Sequence, residues 1–225
     1  MKRGRGGDCF QSNCAFWYLL RDLGYEVQFL PCRVFAGPQR GRRKPGFRAA
    51  PSHFALIVND NFFVDVGMGE PPLAPIDLRS QEVRSIRGVD YRLVLLELER
   101  TQLEWFGRGA WRPRLQWDQI TNKTTRWRRD DSPTDLEPDR DFIVKAEKSP
   151  LTSKLIVSRL TAKDKLTVSV STQGARLKRT RHDEETTTPI PIADLRSALQ
   201  LHFGIPLTET HDLDVSKSLQ APPLW

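Results

Sequence analysis

The chain lacks the features that mark several large classes of protein. None of its apolar runs is long enough to cross a bilayer, and no signal-peptide pattern opens it. Only three of the 225 residues are cysteines, all within the first 32 positions, and no Cys-x-x-Cys pair occurs. A disulfide-rich secreted protein and a structural zinc site are therefore both poor interpretations. We expect free thiols, no metal and a cytoplasmic location.

Acidic residues are in the minority. Lys and Arg number 35 against 28 Asp and Glu, which gives a formal net charge of +7. The densest basic runs are residues 40–44 and 127–129. A solvated surface is the ordinary interpretation of such runs. A phosphate-bearing ligand, such as a cofactor that contains a nucleotide, or a nucleic acid remains open.

The first predicted element is a helix over residues 8–23. Asp8 is a suitable N-cap and Gly24 a suitable stop signal. Its apolar face comprises Phe10, Cys14, Trp17, Tyr18 and Leu20. Cys9 falls just inside the start of this helix, where the helix dipole and unpaired amides lower the pKa of a thiol.

A strand pattern over residues 25–35 and a polar loop over 37–51 lead to a predicted hairpin at 53–66. A three-residue turn at 59–61 would place His53 and Asp65 on one face, either opposite or diagonal to each other. A two-residue turn would place them on opposite faces. Together with Cys9, the side chains of His53 and Asp65 could thus form an activated thiolate. A cysteine at a helix start is by itself more often structural.

The rest of the chain alternates strand patterns with turns and ends in a helix. Residues 91–98, 154–159 and 166–170 are predicted strands, and a helix is predicted over 194–203, closed by Gly204. The apolar side of that helix is predicted to contain Leu195, Ala198, Leu199 and Leu201. The order of elements favours an α+β protein with a β-rich middle.

Three motifs together resemble the arylamine N-acetyltransferase family. They are Arg-Gly-Gly-Asp-Cys-Phe-Gln-Ser-Asn at residues 5–13, Pro-Ser-His at 51–53, and Phe-Val-Asp-Val-Gly-Met-Gly at 63–69. The hydroxyl-rich residues 149–153 and the helix that ends at 203–207 extend the resemblance over nearly the whole chain. Residues 100–140 match least.

The resemblance implies an α+β fold with a helix that carries the cysteine, a central β-barrel-like region, and a C-terminal β-sheet with a helix lid. Residues 1–24 would be the remnant of a helical subdomain that is otherwise missing. Residues 25–130 would form the β-rich domain, and residues 131–225 the C-terminal sheet and lid.

The resemblance also implies roles for individual residues. Cys9 would be the nucleophile, His53 the base and Asp65 the carboxylate that orients it, in a ping-pong transfer from acetyl-CoA to an arylamine or arylhydrazine. The amide of Cys9 and one from the turn 67–69 would stabilise the oxyanion. Gly67, Thr152 and Ser153 would contact CoA, whereas Val34, Phe35 and Met68 would line the acceptor pocket. For Val34 and Phe35 an ordinary place in a strand core is an equal alternative.

The chief departure from the family is at the front, where only residues 1–4 precede Arg-Gly-Gly. We expect this to expose the apolar face of residues 10–20, at a cost of roughly 1.5–3 kcal/mol for each large side chain. Self-association through this face and a catalytically impaired protein are both expectations that follow.

Two other functions remain open at this point. A cysteine hydrolase of the papain or transglutaminase type would use the same three side-chain types. A nucleic-acid-binding module would use tryptophans that alternate with arginines between residues 105 and 129, namely Trp105, Trp111, Trp117 and Trp127. No nucleic-acid motif accompanies them, and tryptophans in strands are usually core residues.

Overall fold

The computed structural model describes residues 6–35, 51–97, 100–107, 109–118, 132–136, 154–161, 164–181, 184–206 and 215–220. The chain divides into two compact units, Met1–Ile143 and Val144–Trp225. No helix in the described ranges is both long and apolar enough to cross a membrane.

The predicted N-terminal helix is present as α1, Cys9–Asp22. Asp8 is its N-cap: the Asp8 carboxylate accepts from the amide of Gln11 at 2.8 Å, and the Gln11 side chain accepts from the amide of Asp8 at 3.1 Å. This reciprocal pair satisfies two amides that have no acceptor within the helix. Gly24 follows the last turn with a φ of +88°, a conformation that glycine adopts without steric cost. Cys9 is therefore the first helical residue, as predicted.

Unit Met1–Ile143 contains an eight-stranded, barrel-like antiparallel sheet. Its strands occur in the order β4-β3-β2-β1-β8-β7-β6-β5. Their bounds are β1 Val27–Val34, β2 His53–Val58, β3 Phe62–Val64, β4 Ile76–Asp77, β5 Arg84–Ile86, β6 Val89–Leu96, β7 Arg100–Gly107 and β8 Ala110–Asp118. The strand predicted at 91–98 is β6, and the Trp/Arg-rich stretch supplies β7 and β8.

The β2–β3 hairpin has the predicted three-residue turn. Leu56 pairs with Val64 and Val58 pairs with Phe62, so the turn is centred on Asp60. Asn59 and Asp60 have φ values of +50° and +56°, which Asn and Asp tolerate better than most residues. With this register, His53 and Asp65 are diagonal neighbours on one face of the hairpin. This is one of the two arrangements that the parity of their numbers predicted.

Both faces of β2 are buried, because its residues alternate between two apolar clusters. One cluster includes Leu30, Ala55, Ile57 and Phe63. The other forms between the sheet and α1 and includes Phe10, Cys14, Phe29, Phe54 and Leu56. His53 shares the parity of Ala55 and Ile57.

Of the residues predicted for the apolar face of α1, only Tyr18 is exposed, because Trp17 and Leu20 are half-buried against the cluster between the helix and the sheet. Phe10 is buried because its ring stacks on Phe29 and meets Phe54 edge-on, with centroids 6.2 and 5.7 Å apart. Cys14 is also buried. Tyr18 and Leu19 are 52% and 53% exposed. The expectation was therefore wrong for the first turns of the helix, because the chain's own strands cover them.

The tryptophans of β7 and β8 interact within the chain. Trp117 is buried and stacks on Phe63 with centroids 5.4 Å apart. The guanidinium of Arg114 lies over Trp105, and that of Arg92 lies over Trp111. Trp127 lies outside the described residues.

Unit Val144–Trp225 contains a four-stranded antiparallel sheet in the order β12-β11-β10-β9. Its elements are β9 Ile156–Leu160, β10 Lys165–Ser171, β11 Gly174–Arg181, β12 Glu184–Ile190, a 3₁₀ turn Ile192–Asp194, and the helices α2 Leu195–Phe203 and α3 Ser216–Gln220. Val168, Val170, Leu195 and Leu199 form its core. The prediction for α2 was wrong at Leu201, which is 78% exposed. At 100° per residue it lies about 200° from Leu199, on the outer face.

Candidate active site

Three elements bring Cys9, His53 and Asp65 together. Cys9 begins α1, His53 begins β2, and Asp65 directly follows β3. His53 and Asp65 are 2% and 4% exposed, whereas Cys9 is half-buried. The two charged groups are thus shielded from water, while the thiol side remains accessible.

The imidazole of His53 bridges the other two side chains. Its Nε2 lies 2.6 Å from Asp65 Oδ2, and the side chains of His53 and Cys9 are also hydrogen-bonded. Because Nε2 is engaged by the carboxylate, Nδ1 is the nitrogen that faces the thiol. The carboxylate fixes both the orientation of the ring and its protonation.

His53 and Asp65 each stabilise the charged form of the other. Burial by itself lowers the pKa of His53, but the carboxylate of Asp65 and the hydrogen bond to Cys9 outweigh it and raise that pKa to about 10. Burial would raise the pKa of Asp65, but His53, Asn13 and the amide of Gly67 outweigh it and lower that pKa. An imidazolium–carboxylate pair therefore persists at neutral pH beside the Cys9 thiol.

Both oxygens of Asp65 are held. Oδ1 accepts from Asn13 Nδ2 at 3.0 Å, from the amide of Gly67 at 2.8 Å and from the amide of Met68 at 3.0 Å. Oδ2 is left for His53. A buried carboxylate with this many donors stays ionised and cannot rotate freely.

Asn13 is the residue whose role sequence reasoning missed. It is fully buried, donates to the carbonyl of Phe54 at 2.6 Å, and accepts from the amide of Val66 at 3.0 Å. It therefore connects the cysteine helix to β2 and to the segment that follows Asp65. The signal was present: Asn13 lies one helical turn after Cys9 on the buried side of α1, and a buried amide must find partners.

Gly67 allows the segment after Asp65 to approach α1 closely. A Cβ at this position would lie 2.4 Å from the carbonyl oxygen of Cys9 and 2.7 Å from Asn13 Nδ2. A side chain there would force the two elements apart. Because the amides of Gly67 and Met68 donate to Asp65, an oxyanion donor from the turn 67–69 would have to be the amide of Gly69. The amide of Cys9 lies in the first turn of α1, where amides have no acceptor within the helix.

The structure describes only some of the other residues that were predicted for the site. Val34 and Met68 are half-buried and pack against the same core cluster of the barrel-like sheet. Phe35 is also half-buried, and its amide donates to the carbonyl of Arg114 at 3.0 Å. Thr152 and Ser153 lie outside the described residues. The contacts of Gly67, Thr152 and Ser153 with CoA stay predictions.

The other two cysteines are unsuited to nucleophilic attack. Cys14 is buried within the α1 cluster, and Cys32 is fully buried opposite His53 in the β1–β2 pair. Burial, with the nearby charge of Asp65, raises the pKa of the Cys32 thiol well above its ordinary value. In the part of the chain that the structure covers, no group of three His, Cys, Asp or Glu side chains could hold a metal ion.

Comparison with known proteins gives matches over most of the chain. An N-acetyltransferase family model matches residues 1–212. An uncharacterized acetyltransferase of Bacillus subtilis, YvcN, is 30% identical over 172 residues, which are 75% of this chain and 63% of the relative. An arylamine N-acetyltransferase of Mycolicibacterium smegmatis is 34% identical over 117 residues, 49% of this chain and 41% of the relative. The chain thus spans less than two thirds of these curated relatives.

Solved structures show the same fold. An arylamine N-acetyltransferase from M. smegmatis superposes with a TM-score of 0.76 at 25% identity, over 97% of this chain and 76% of that one. The Mycobacterium marinum enzyme, solved in complex with CoA, gives a TM-score of 0.75 at 22% identity, over 98% of this chain and 76% of that one. The helix that carries Cys9, the barrel-like sheet and the C-terminal sheet with its helices all belong to this fold.

Proposed function

The chain belongs to the arylamine N-acetyltransferase family, and on that premise we propose that it transfers an acetyl group from acetyl-CoA, through a thioester on Cys9, to the nitrogen of an arylamine or arylhydrazine. The observation that carries the proposal is the His53 imidazole, which is hydrogen-bonded to Asp65 on one side and to Cys9 on the other.

The first half-reaction acylates the enzyme. The Cys9 thiolate attacks the carbonyl carbon of acetyl-CoA, and the negative charge that develops on the carbonyl oxygen is stabilised by backbone amides. The bond to the CoA sulfur then breaks. His53, which is protonated in the resting site, donates its Nδ1 proton to the departing sulfur, so that CoA leaves as a thiol and the acetyl group stays on Cys9.

The second half-reaction returns the enzyme to its starting state. The amine nitrogen attacks the thioester, His53 takes one proton from that nitrogen, and the bond between the acetyl carbon and Cys9 Sγ breaks. The products are the N-acetylated amine and the thiolate–imidazolium pair. Acylation favours this exchange of roles, because it removes the Cys9 contribution that helps to raise the pKa of His53.

Three further observations support the choice of donor and compartment. A relative with the same fold has been solved with CoA, and the net charge of +7 suits a donor that carries phosphates. Cys9, Cys14 and Cys32 are free thiols, as expected in the reducing cytoplasm where we propose that the enzyme acts.

The test is turnover of acetyl-CoA with a panel of arylamines and arylhydrazines, with CoA release and acetylated product measured together. We expect equal amounts of both products. Cys9→Ser and His53→Ala should lower kcat/KM by about 10³-fold or more, whereas Cys14→Ala, on the same helix, should retain activity. Cleavage of amide or peptide substrates without any release of CoA would instead identify a cysteine hydrolase.

A further inference from the structure

Strand β8 contains an irregularity at Arg114. Leu115 pairs with Leu103 and Pro113 pairs with Glu104, so Arg114 is an additional residue that has no partner position on β7. A β-bulge of this kind bends the strand and redirects a side chain, and bulges are frequent next to active sites. The Arg114 side chain is only 9% exposed, and its guanidinium carbon lies 4.5 Å from the centre of the Trp105 ring.

The redirected guanidinium forms an ion pair with Glu70, between Arg114 Nη2 and Glu70 Oε2. Tyr91, which is paired with Trp105 across the sheet, lies within the electrostatic influence of both groups. The pair is therefore embedded in the sheet, and the Glu70 side chain is 32% exposed.

Glu70 ends the segment that holds the catalytic carboxylate, residues 66–70, called here the 66–70 loop. At its start, the amide of Val66 donates to Asn13. In its middle, the amides of Gly67 and Met68 donate to Asp65 Oδ1. At its end, Glu70 is paired with Arg114. The two amides that hold Asp65 thus lie between two anchors, one on α1 and one on β8.

We propose that Arg114 is a positioning residue for the triad, which acts through Glu70 to hold the 66–70 loop so that its amides stay on Asp65 and Asp65 stays on His53. The bulge makes this role possible. In a regular strand, adjacent side chains point to opposite faces, so Arg114 would face away from the side on which its neighbour Leu115 enters the core.

The same sheet offers a matched control. Arg92 pairs with Glu104 at 2.7 Å and lies 4.2 Å from the centre of the Trp111 ring. It is the same combination of arginine, glutamate and tryptophan, but Arg92 lies on β6, Glu104 lies on β7 opposite the bulge, and neither residue lies in the 66–70 loop. A change there tests the general effect of losing such a pair.

The experiment compares Glu70→Gln, Arg114→Met and the double variant with Arg92→Met. The first measurement is the rate at which iodoacetamide alkylates Cys9, followed across pH. The second is the NMR titration of His53, whose neighbours with titratable groups are Asp65, Cys9 and, from β1, Cys32. Neither measurement requires acetyl transfer. A failed proposal for the reaction is thereby distinguishable from a failed proposal for Arg114.

We expect Glu70→Gln and Arg114→Met each to lower the alkylation rate at neutral pH about tenfold and to move the His53 titration to lower pH. The double variant should be no worse than Arg114→Met, because the proposed effect on the triad passes through the contact between the two side chains. Arg92→Met should stay within about twofold of the wild type. Wild-type alkylation and titration in folded Glu70→Gln would overturn the proposal, even if Arg114→Met failed to fold.

Discussion

At the scale of single residues, the site depends on one buried charge pair that its neighbours keep in place. An isolated buried charge is strongly unfavourable, so His53 and Asp65 each need the other. Asp65 gains three further donors on Oδ1, and His53 gains the Cys9 thiol. The raised pKa of His53 is thus a property of the whole cluster.

Replacement of Asp65 by asparagine should show this most clearly. Without the carboxylate, burial becomes the dominant influence on His53, so its pKa should fall from about 10 to below the ordinary 6.5. NMR titration of the ring protons would measure the change. Asp77→Asn is the control, because Asp77 is a carboxylate in the same unit that pairs with Arg79 and not with the triad. An unchanged His53 titration in Asp65→Asn would contradict the pairing.

The same pair predicts how stability varies with pH. His53 has a raised pKa, so its contribution is complete below pH 6.5 and is lost as the pH rises toward about 10. Asp65 has a lowered pKa, so its contribution is present above pH 3.8 and is lost as the pH falls. Urea unfolding of the wild type should therefore show a decline between about pH 7 and 10 that is reduced in Asp65→Asn. If the free energy of unfolding fell equally with rising pH in the two proteins, this prediction would be contradicted.

Asn13 should matter for stability as well as for geometry. Asn13→Ala removes the donor to the carbonyl of Phe54 and the acceptor for the amide of Val66, and should destabilise the protein by about 1–3 kcal/mol. Urea unfolding would measure the loss. Ser12→Ala, a half-buried neighbour on the same helix, should change stability by less than about 0.5 kcal/mol. Equal effects of the two changes would contradict the role given to Asn13.

At the scale of elements, sequence reasoning succeeded where one simple period decided the outcome. The parity of His53 and Asp65, with a turn of odd length, was enough to put them on one face of the β2–β3 hairpin. Asp8 and Gly24 marked the ends of α1 because capping is local chemistry. The bulge at Arg114 could not be predicted in this way, since it depends on the register of β7 against β8. The same limit applies to the contact of Gly67 with α1.

The capping box of α1 should influence the reactivity of Cys9, because it fixes the first turn of the helix. Asp8→Ala removes the acceptor for the amide of Gln11, and should destabilise the protein by about 0.5–2 kcal/mol. We also expect slower alkylation of Cys9 by iodoacetamide. Asp22→Ala, at the opposite end of the helix, is the control and should be neutral or slightly stabilising, because a negative charge there opposes the helix dipole. Identical results for the two variants would contradict the effect of the cap.

At the scale of the whole molecule, the net charge could be predicted from the sequence, but the positions of the charges that contact a ligand could not. The excess of seven positive charges was plain from composition, but which arginines meet a phosphate depends on how the chain folds. The motifs identified the family, and they contain the three side chains of the proposed triad, because short segments carry both. The predicted contacts of Thr152 and Ser153 with CoA depend on the family resemblance alone, because no local pattern in the sequence predicts them.

The proposed donor makes the reaction sensitive to salt. Between about 50 and 300 mM NaCl, screening weakens the attraction between a basic protein and the phosphates of acetyl-CoA. KM for acetyl-CoA should rise severalfold, while kcat changes little. A short acetyl thioester without phosphates is the control and should show a KM that salt leaves nearly unchanged. A KM for acetyl-CoA that does not change with salt would show that the positive charge of the protein does not contribute to binding of the donor.

The most direct test of the central claim is the intact mass of the protein after incubation with acetyl-CoA and no acceptor amine. We predict that one acetyl group is added, that peptide mapping places it on Cys9, and that an arylamine or arylhydrazine then removes it and becomes acetylated. Cys9→Ser should gain no acetyl group, whereas Cys14→Ala should be acetylated like the wild type. A folded wild-type protein that gains no acetyl group, or gains it on another residue, would contradict the account.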